Sequence, residues 1–165
     1  MTVPTRFVSD YNITSNTYLL ESKKQDKKIH TIVYEKSGVI EVSKRPLRLI
    51  HIACENMGSN YRASINRSKQ FLDENKHKFP LVVATDYGHP QVMFPLMSPK
   101  SHNNIWVSFN AITNIVNHRT HVTVTFKDSL EVDLFIHISS LNNQYVTSAM
   151  LYKAILKHWN RFVPL

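Results

Sequence analysis

One cysteine, Cys54, stands in the whole chain, which excludes an internal disulfide and any zinc site built on several thiolates. Glycine is nearly as scarce. Gly38, Gly58 and Gly88 are the only three, too few and too scattered for a Gly-rich phosphate loop or a glycine linker. No apolar run approaches the roughly 20 residues of a membrane span. The opening MTVPTRFVSDYNITSN lacks the basic-then-apolar pattern of a secretory signal, so a soluble protein of a reducing compartment is expected. Acid is short too: 12 Asp+Glu stand against 20 Lys+Arg, for a formal charge of +8. That imbalance points to a polyanionic partner, because phosphates recruit Lys and Arg and release counterions.

What is present suits one domain. A chain of 165 residues, 42% of them hydrophobic, can bury a real core. Residues 1–16 are polar and expected to fray, leaving 17–165 as a single unit. TYLLE, IHTIVYEKS and GVIEVS read as strands, broken by KKQDKK, a solvated turn, and by Ser37-Gly38. RPLRLIHIACENMG reads as a helix, with Pro46 in its first turn and Gly58 just past its end. Leu47, Ile50, Ala53, Cys54 and Met57 form its apolar stripe. Ser59 is expected to cap a second helix with Tyr61, Ile65, Ser68 and Leu72 inward.

Beyond them, FPLVVAT and QVMFPLM flank the turn Tyr87-Gly88-His89-Pro90. IWVSF and AITNIVNH follow as strands, and HVTVTF and SLEVDLFI pair around Asp128-Ser129. A helix spans 139–159, capped by Ser139 or Ser140. Strands and helices do not alternate regularly, which predicts an α+β domain: a mostly antiparallel sheet, two central helices and a C-terminal helix.

The catalytic candidates have plain structural explanations. His51 and Cys54 lie three apart on the first helix, but Cys54 belongs to the apolar stripe and reads as a buried thiol. His118 and His121 fall on opposite faces if both are in a strand, and no His-Glu-x-x-His motif occurs. Asp128, Glu131 and Asp133 share one hairpin and form no carboxylate pair with split environments. No Gly-x-Ser-x-Gly elbow or Walker loop is present. The expectation is a non-enzyme without cofactor or metal.

The basic residues are unevenly placed. Between positions 43 and 72 stand Lys44, Arg45, Arg48, Arg62, Arg67 and Lys69 against the lone Glu55. In NMGSNYRASINRSKQ, the helix face carrying Ser59, Asn60, Arg62, Asn66, Arg67 and Lys69 mixes arginine with amides. That is chemistry for bases and narrow grooves rather than for solubility alone. A nucleic-acid surface and an ordinary solvated face both remain open for it. On the last helix, Val146, Met150, Tyr152 and Trp159 exceed what one core-facing stripe requires. They read either as self-association surface or as core.

RPLRLIHIACENMGSNY, KFPL, MFPLMS, NNIW and SLNNQYVTSA, in that order with the TFKDSLEVDLF hairpin, resemble the ComK competence transcription factors of Gram-positive bacteria, with the staphylococcal branch nearest. The resemblance runs from about Glu35 to Lys157. It implies a cytoplasmic, nucleoid-associated activator of DNA-uptake genes that binds double-stranded DNA as a multimer. The implied sites are paired A and T runs, approached largely from the minor groove. RNA polymerase and a proteolytic adaptor are implied partners. The chain departs from better-known members by stopping at Leu165, where they continue into a tail. It also carries Tyr61-Arg62-Ala63-Ser64 where many have Tyr-x-Gly-Arg. An RNA-binding protein or a nucleic-acid-processing enzyme is the alternative reading.

Overall fold

The computed structural model describes residues 3–72 and 77–161; residues 1 and 2 of the expected N-terminal arm lie outside them. The chain forms β1 (Arg6–Val8), β2 (Thr17–Gln25), β3 (Lys28–Glu35), β4 (Gly38–Val42), α1 (Pro46–Asn56), α2 (Tyr61–Phe71), β5 (Leu81–Asp86), β6 (His89–Pro95) and β7 (Ile105–Ser108). Then come β8 (Ile112–Asn117), β9 (Val122–Phe126), β10 (Glu131–Leu134) and α3 (Ile138–Asn160). Seven strands make one sheet in the order β1-β4-β3-β2-β7-β6-β5, and β10-β9-β8 make a second. All pairs are antiparallel except β1 with β4. The fold is α+β, as expected.

Period-two alternation sorts the strand residues between the two faces of the large sheet. Leu20, Met93 and Trp106 face Leu49, Ile50, Ala53 and Cys54 of α1. Leu19, Phe94 and Val107 face the opposite way and meet Val122, Val124, Phe126, Val132 and Leu134 of the small sheet. A third cluster joins Leu72, Phe79, Val82 and Val92 to Leu151 and Ile155 of α3. The hairpin turns use left-handed backbone at Tyr87-Gly88 and Asp128-Ser129, which matches the twist of the strands they join.

Three expectations change. Residues 1–16 were expected to fray, yet from Thr5 onward the arm is tied down. Thr5 donates from both N and Oγ1 to Val39 O, β1 pairs in register with Ile40–Val42, and the Tyr11 hydroxyl donates to Glu35 Oε2 at 2.7 Å. These ties are backbone and hydroxyl bonds, so an apolar pattern could not announce them. Second, β8 leaves the large sheet. Asn110 accepts from Val92 N at 2.8 Å and donates to Pro90 O at 2.9 Å. Its side chain thus satisfies the backbone of β6 where β7 has ended, and the chain crosses to the small sheet.

Third, KKQDKK is more than a solvated turn. Asp26 and Lys27 make the reversal between β2 and β3, but Lys23 reaches inward. Its Nζ lies 2.7 Å from Glu41 Oε1, and His30 Nδ1 lies 2.9 Å from Glu41 Oε2, with Glu41 only 5% exposed. The hydrogen bond from Lys23, with His30 adding to it, holds the Glu41 carboxyl below the usual glutamate range despite its burial. A depressed folded-state pKa means that this stability is present above the ordinary glutamate value and is lost as pH falls through the folded one. Lys23→Met should therefore cost about 1–3 kcal/mol at neutral pH, and the gap to the parent should close on acidification. Urea denaturation across that pH range measures it. A gap independent of pH would show that the lysine contributes packing and no charge pairing.

Candidate nucleic-acid interface

The basic face is set by how α1 ends and α2 begins. Gly58 N donates to Glu55 O at 2.9 Å and Ser59 N to Cys54 O at 3.1 Å, with Gly58 at φ +79°. This is a Schellman ending, which requires a left-handed residue after the last turn. A Cβ at Gly58 would meet nothing within 4 Å, so the glycine is demanded by its φ alone. Asn60, not Ser59, caps α2: its side-chain oxygen accepts from Ala63 N at 2.8 Å. Ser59 is consumed by the end of α1, and the cap passes to the next residue with a suitable side chain.

The inner face of α2 is as expected, with Ser64 added. Tyr61 stacks on His51 at 4.4 Å between ring centroids. Ser64 and Ser68 are buried, and Ser68 Oγ donates to Pro80 O at 2.6 Å. Burial first, and the Arg48 charge second, push His51 below its ordinary histidine value. A neutral imidazole therefore lies over the tyrosine ring at neutral pH.

Arg62, Asn66 and Gln70 stand exposed at helical spacing, i, i+4 and i+8, on the outer face. Lys69 flanks them, with Nζ 5.7 Å from the centre of the Phe79 ring. Arg67 lies off this stripe, in a crevice with Ser64, Ser68, Leu151 and Ile155 on the α3 side. At the start of α1, Lys44 is paired with Asp10, and Arg48 Nη1 lies 3.8 Å from Glu55 Oε1. Arg45 is exposed at the N-cap. Among the described residues no carboxylate lies within ion-pairing distance of Arg45, Arg62, Arg67 or Lys69. Of the nine expected residues, Arg62, Asn66 and Lys69 lie on or beside the outer stripe, and Lys44 and Arg48 are paired with acids. Arg45 is an unpaired cation at the start of α1, Arg67 lies in the α3 crevice, Asn60 is the helix cap and Ser59 belongs to the ending of α1.

Matches to known proteins extend over most of the chain. The family model described as ComK protein matches residues 8–159. The chain belongs to the ComK family. The "Competence transcription factor" of Bacillus subtilis (strain 168) is 25% identical over 145 residues, 87% of this chain and 74% of that protein. No solved structure matches. The stretches that carried the ComK resemblance meet in space. Gln144, from SLNNQY, donates to Lys78 O at 3.0 Å in KFPL and to Pro95 O at 2.6 Å in MFPL. Asn104, from NNIW, accepts from Met97 N at 3.0 Å.

Among the described residues the competing candidates have other partners. Cys54 is fully buried, and burial pushes its thiol above the ordinary range, while His51 is occupied with Tyr61. His118 and His121 are not on opposite faces. The turn between β8 and β9 folds back, with His118 N donating to His121 O, and stacks the two rings at 4.5 Å. No group of three metal-binding side chains occurs among the described residues. Asp128 accepts from the Tyr18 hydroxyl at 2.6 Å and Asp133 from Thr123 at 2.7 Å.

The self-association set is dispersed. Met150 and Val146 are each 57% exposed, one turn apart. Tyr152 turns the other way, hydrogen-bonded to His89 at 2.8 Å and packed on Phe109. Trp159 packs against the cluster around Leu72. Among the described residues no helix is long and apolar enough to cross a membrane. The inward placement of Ser68 and of the α2 stripe was legible from spacing, whereas the Ser68 hydrogen bond to Pro80 and the cap needed geometry. Asn60→Ala should cost about 1 kcal/mol of stability, and Ser59→Ala less than about 0.5 kcal/mol, by thermal or urea unfolding. Equal costs would mean that the cap is misassigned.

Proposed function

We propose that this ComK-family chain is a double-stranded DNA-binding regulator of competence genes, docking through the outer face of α2 and the exposed Arg45 and Arg48 at the start of α1. The observation that carries this reading is the Arg62, Asn66, Gln70 stripe flanked by Lys69. It is unpaired with acid among the described residues and held on a helix fixed at both ends. The name of the Bacillus subtilis relative, a transcription factor of competence, supports the regulatory part. A formal charge of +8 supplies the sequence-independent attraction to phosphate. Arginine and amide side chains supply contacts that lysine cannot, and a narrow AT-rich minor groove concentrates the potential that arginine seeks. The preferred sites are AT-rich and entered from the minor groove. The protein acts in the cytoplasm, at the nucleoid. RNA polymerase and a proteolytic adaptor remain partners on the strength of the ComK resemblance alone.

A specific observation favours a second mode of entry. α1 and α2 are joined by four residues that include Gly58, the connection of a helix-turn-helix, whose second helix enters the major groove. Blocking one groove at a time with a minor-groove or a major-groove ligand distinguishes the two modes. α2 has 11 residues and so is about 16 Å long, enough for one half-site. Two copies related by a two-fold axis would read paired A and T runs, with Val146 and Met150 as the apolar contact between them.

Fluorescence anisotropy over a salt series tests the interface. Arg62→Ala should weaken binding to an AT-rich duplex and reduce the log–log salt slope by about 0.9 if it removes one phosphate contact. Arg67→Ala, set in the α3 crevice, should do less. Equal affinity for AT-rich and GC-rich duplexes would overturn the selective reading, and strand cleavage would favour a processing enzyme. In sedimentation with a two-half-site duplex, the parent should load two copies, and Val146→Ser with Met150→Ser should load one. Two copies in both proteins would move the contact elsewhere.

A further inference from the structure

A cleft of about 450 Å³ opens where the β5–β6 turn, the link from β7 to β8 and the middle of α3 converge; Asp86, Tyr87, Phe109, Lys127, Tyr145 and Tyr152 help to line it. Tyr145 and Tyr152 stand two turns apart on one side of α3, and Phe109 packs on both, with ring centroids 5.0 and 5.7 Å away. His89 Nδ1 lies 2.8 Å from the Tyr152 hydroxyl and steadies that ring. All three rings are only half-buried. Tyr87 adds a fourth ring, 96% exposed, on backbone at φ +49°. A bulky side chain rarely takes that left-handed conformation, which Asn, Asp or Gly adopts with less strain in the same kind of turn. The hairpin thus holds an aromatic ring in water at a position that does not suit it, and no packing requires it there. Strain of this kind clusters at ligand sites.

Two charges complete the wall. Among the described residues neither Asp86 nor Lys127 is ion-paired, with the other or elsewhere. The volume falls within the roughly 300–1,000 Å³ of small-molecule sites. Open rings suit a flat π-system, and an ammonium suits a phosphate. A carboxylate only accepts hydrogen bonds, so it suits amino or hydroxyl donors. A nucleotide combines all three in one molecule. A bare phosphate would leave the rings unused, and an organic cation would be repelled by Lys127.

We propose that this cleft binds a single nucleotide, with its base on the aromatic rings, its phosphate at Lys127 and its amino or sugar hydroxyl donors at Asp86. The nucleotide is either free or an unpaired residue of a single strand. A duplex keeps its bases stacked inside and supplies none, so the site does not rest on the DNA-binding reading.

Nitrogen-15 NMR of the full chain tests it, because the chain has only three glycines and two of their amides report on different places. Gly88 follows Tyr87 in the turn, and Gly58 precedes α2. Titration with nucleoside monophosphates at constant ionic strength should move the Gly88 N–H resonance and leave that of Gly58 in place. Tyr87→Asn, which suits the turn, should weaken this response about fivefold or more, the loss expected for one base–ring stack. Lys127→Gln should weaken the response to a monophosphate about threefold, as for one exposed ion pair, and leave the response to the matching nucleoside unchanged. If a single-stranded oligonucleotide moves Gly88 and displaces the monophosphate, the occupant is an unpaired residue of a strand. If the oligonucleotide leaves Gly88 in place while the monophosphate moves it, the occupant is a free nucleotide. A Gly88 resonance indifferent to every nucleotide, or one that responds equally in the parent and both variants, overturns the site. Failure to bind any duplex, with the Gly88 response intact, overturns the DNA reading alone.

Discussion

Everything on the outer face of α2 depends on residues 57–60. The Schellman bonds end α1 at a residue that must adopt positive φ, and Asn60 immediately restarts the backbone as a new helix. α2 then packs through Tyr61, Ile65, Phe71 and two buried serines. Hydrogen bonds fix its rotation further, from the Asn60 cap at one end and from Ser68 to Pro80 near the other. Arg62, Asn66 and Gln70 point outward together because both ends are held.

Some residues of the ComK-like stretches hold the scaffold. Gln144 ties α3 to the backbone before β5 and at the end of β6, and Asn104 ties the loop after β6 to the start of β7. Each satisfies buried backbone groups at places where no ladder can do so. They hold strand ends in register. The candidate contact surface is a separate layer of exposed Arg, Asn, Gln and Lys.

How much could be read in advance follows from the range of the forces involved. Most of the α1 stripe, the inner face of α2 and the hairpin at Asp128-Ser129 are local, and spacing revealed them; it missed the buried Leu49 and placed Arg67 on the outer face, where the structure sets it in the crevice against α3. The tethered N-terminal arm, the crossing to the second sheet at Asn110 and the Lys23–Glu41–His30 group are long-range polar contacts, and periodicity does not encode those. The His118–His121 stack was misread because a strand was assumed where the chain turns. Met150, Tyr152 and Trp159 share a helix but not a face: nine residues separate Met150 from Trp159, about half a rotation beyond whole turns.

The central claim is that α2 presents its outer face to duplex DNA. Backbone amide hydrogen exchange of the full chain, with and without an AT-rich duplex, tests it most directly. Added protection should fall on residues 45–48 and 60–70, with the β2–β3 turn and the β9–β10 hairpin unchanged. Protection concentrated on those two reversals, with α2 exchanging as in the free protein, would contradict the account.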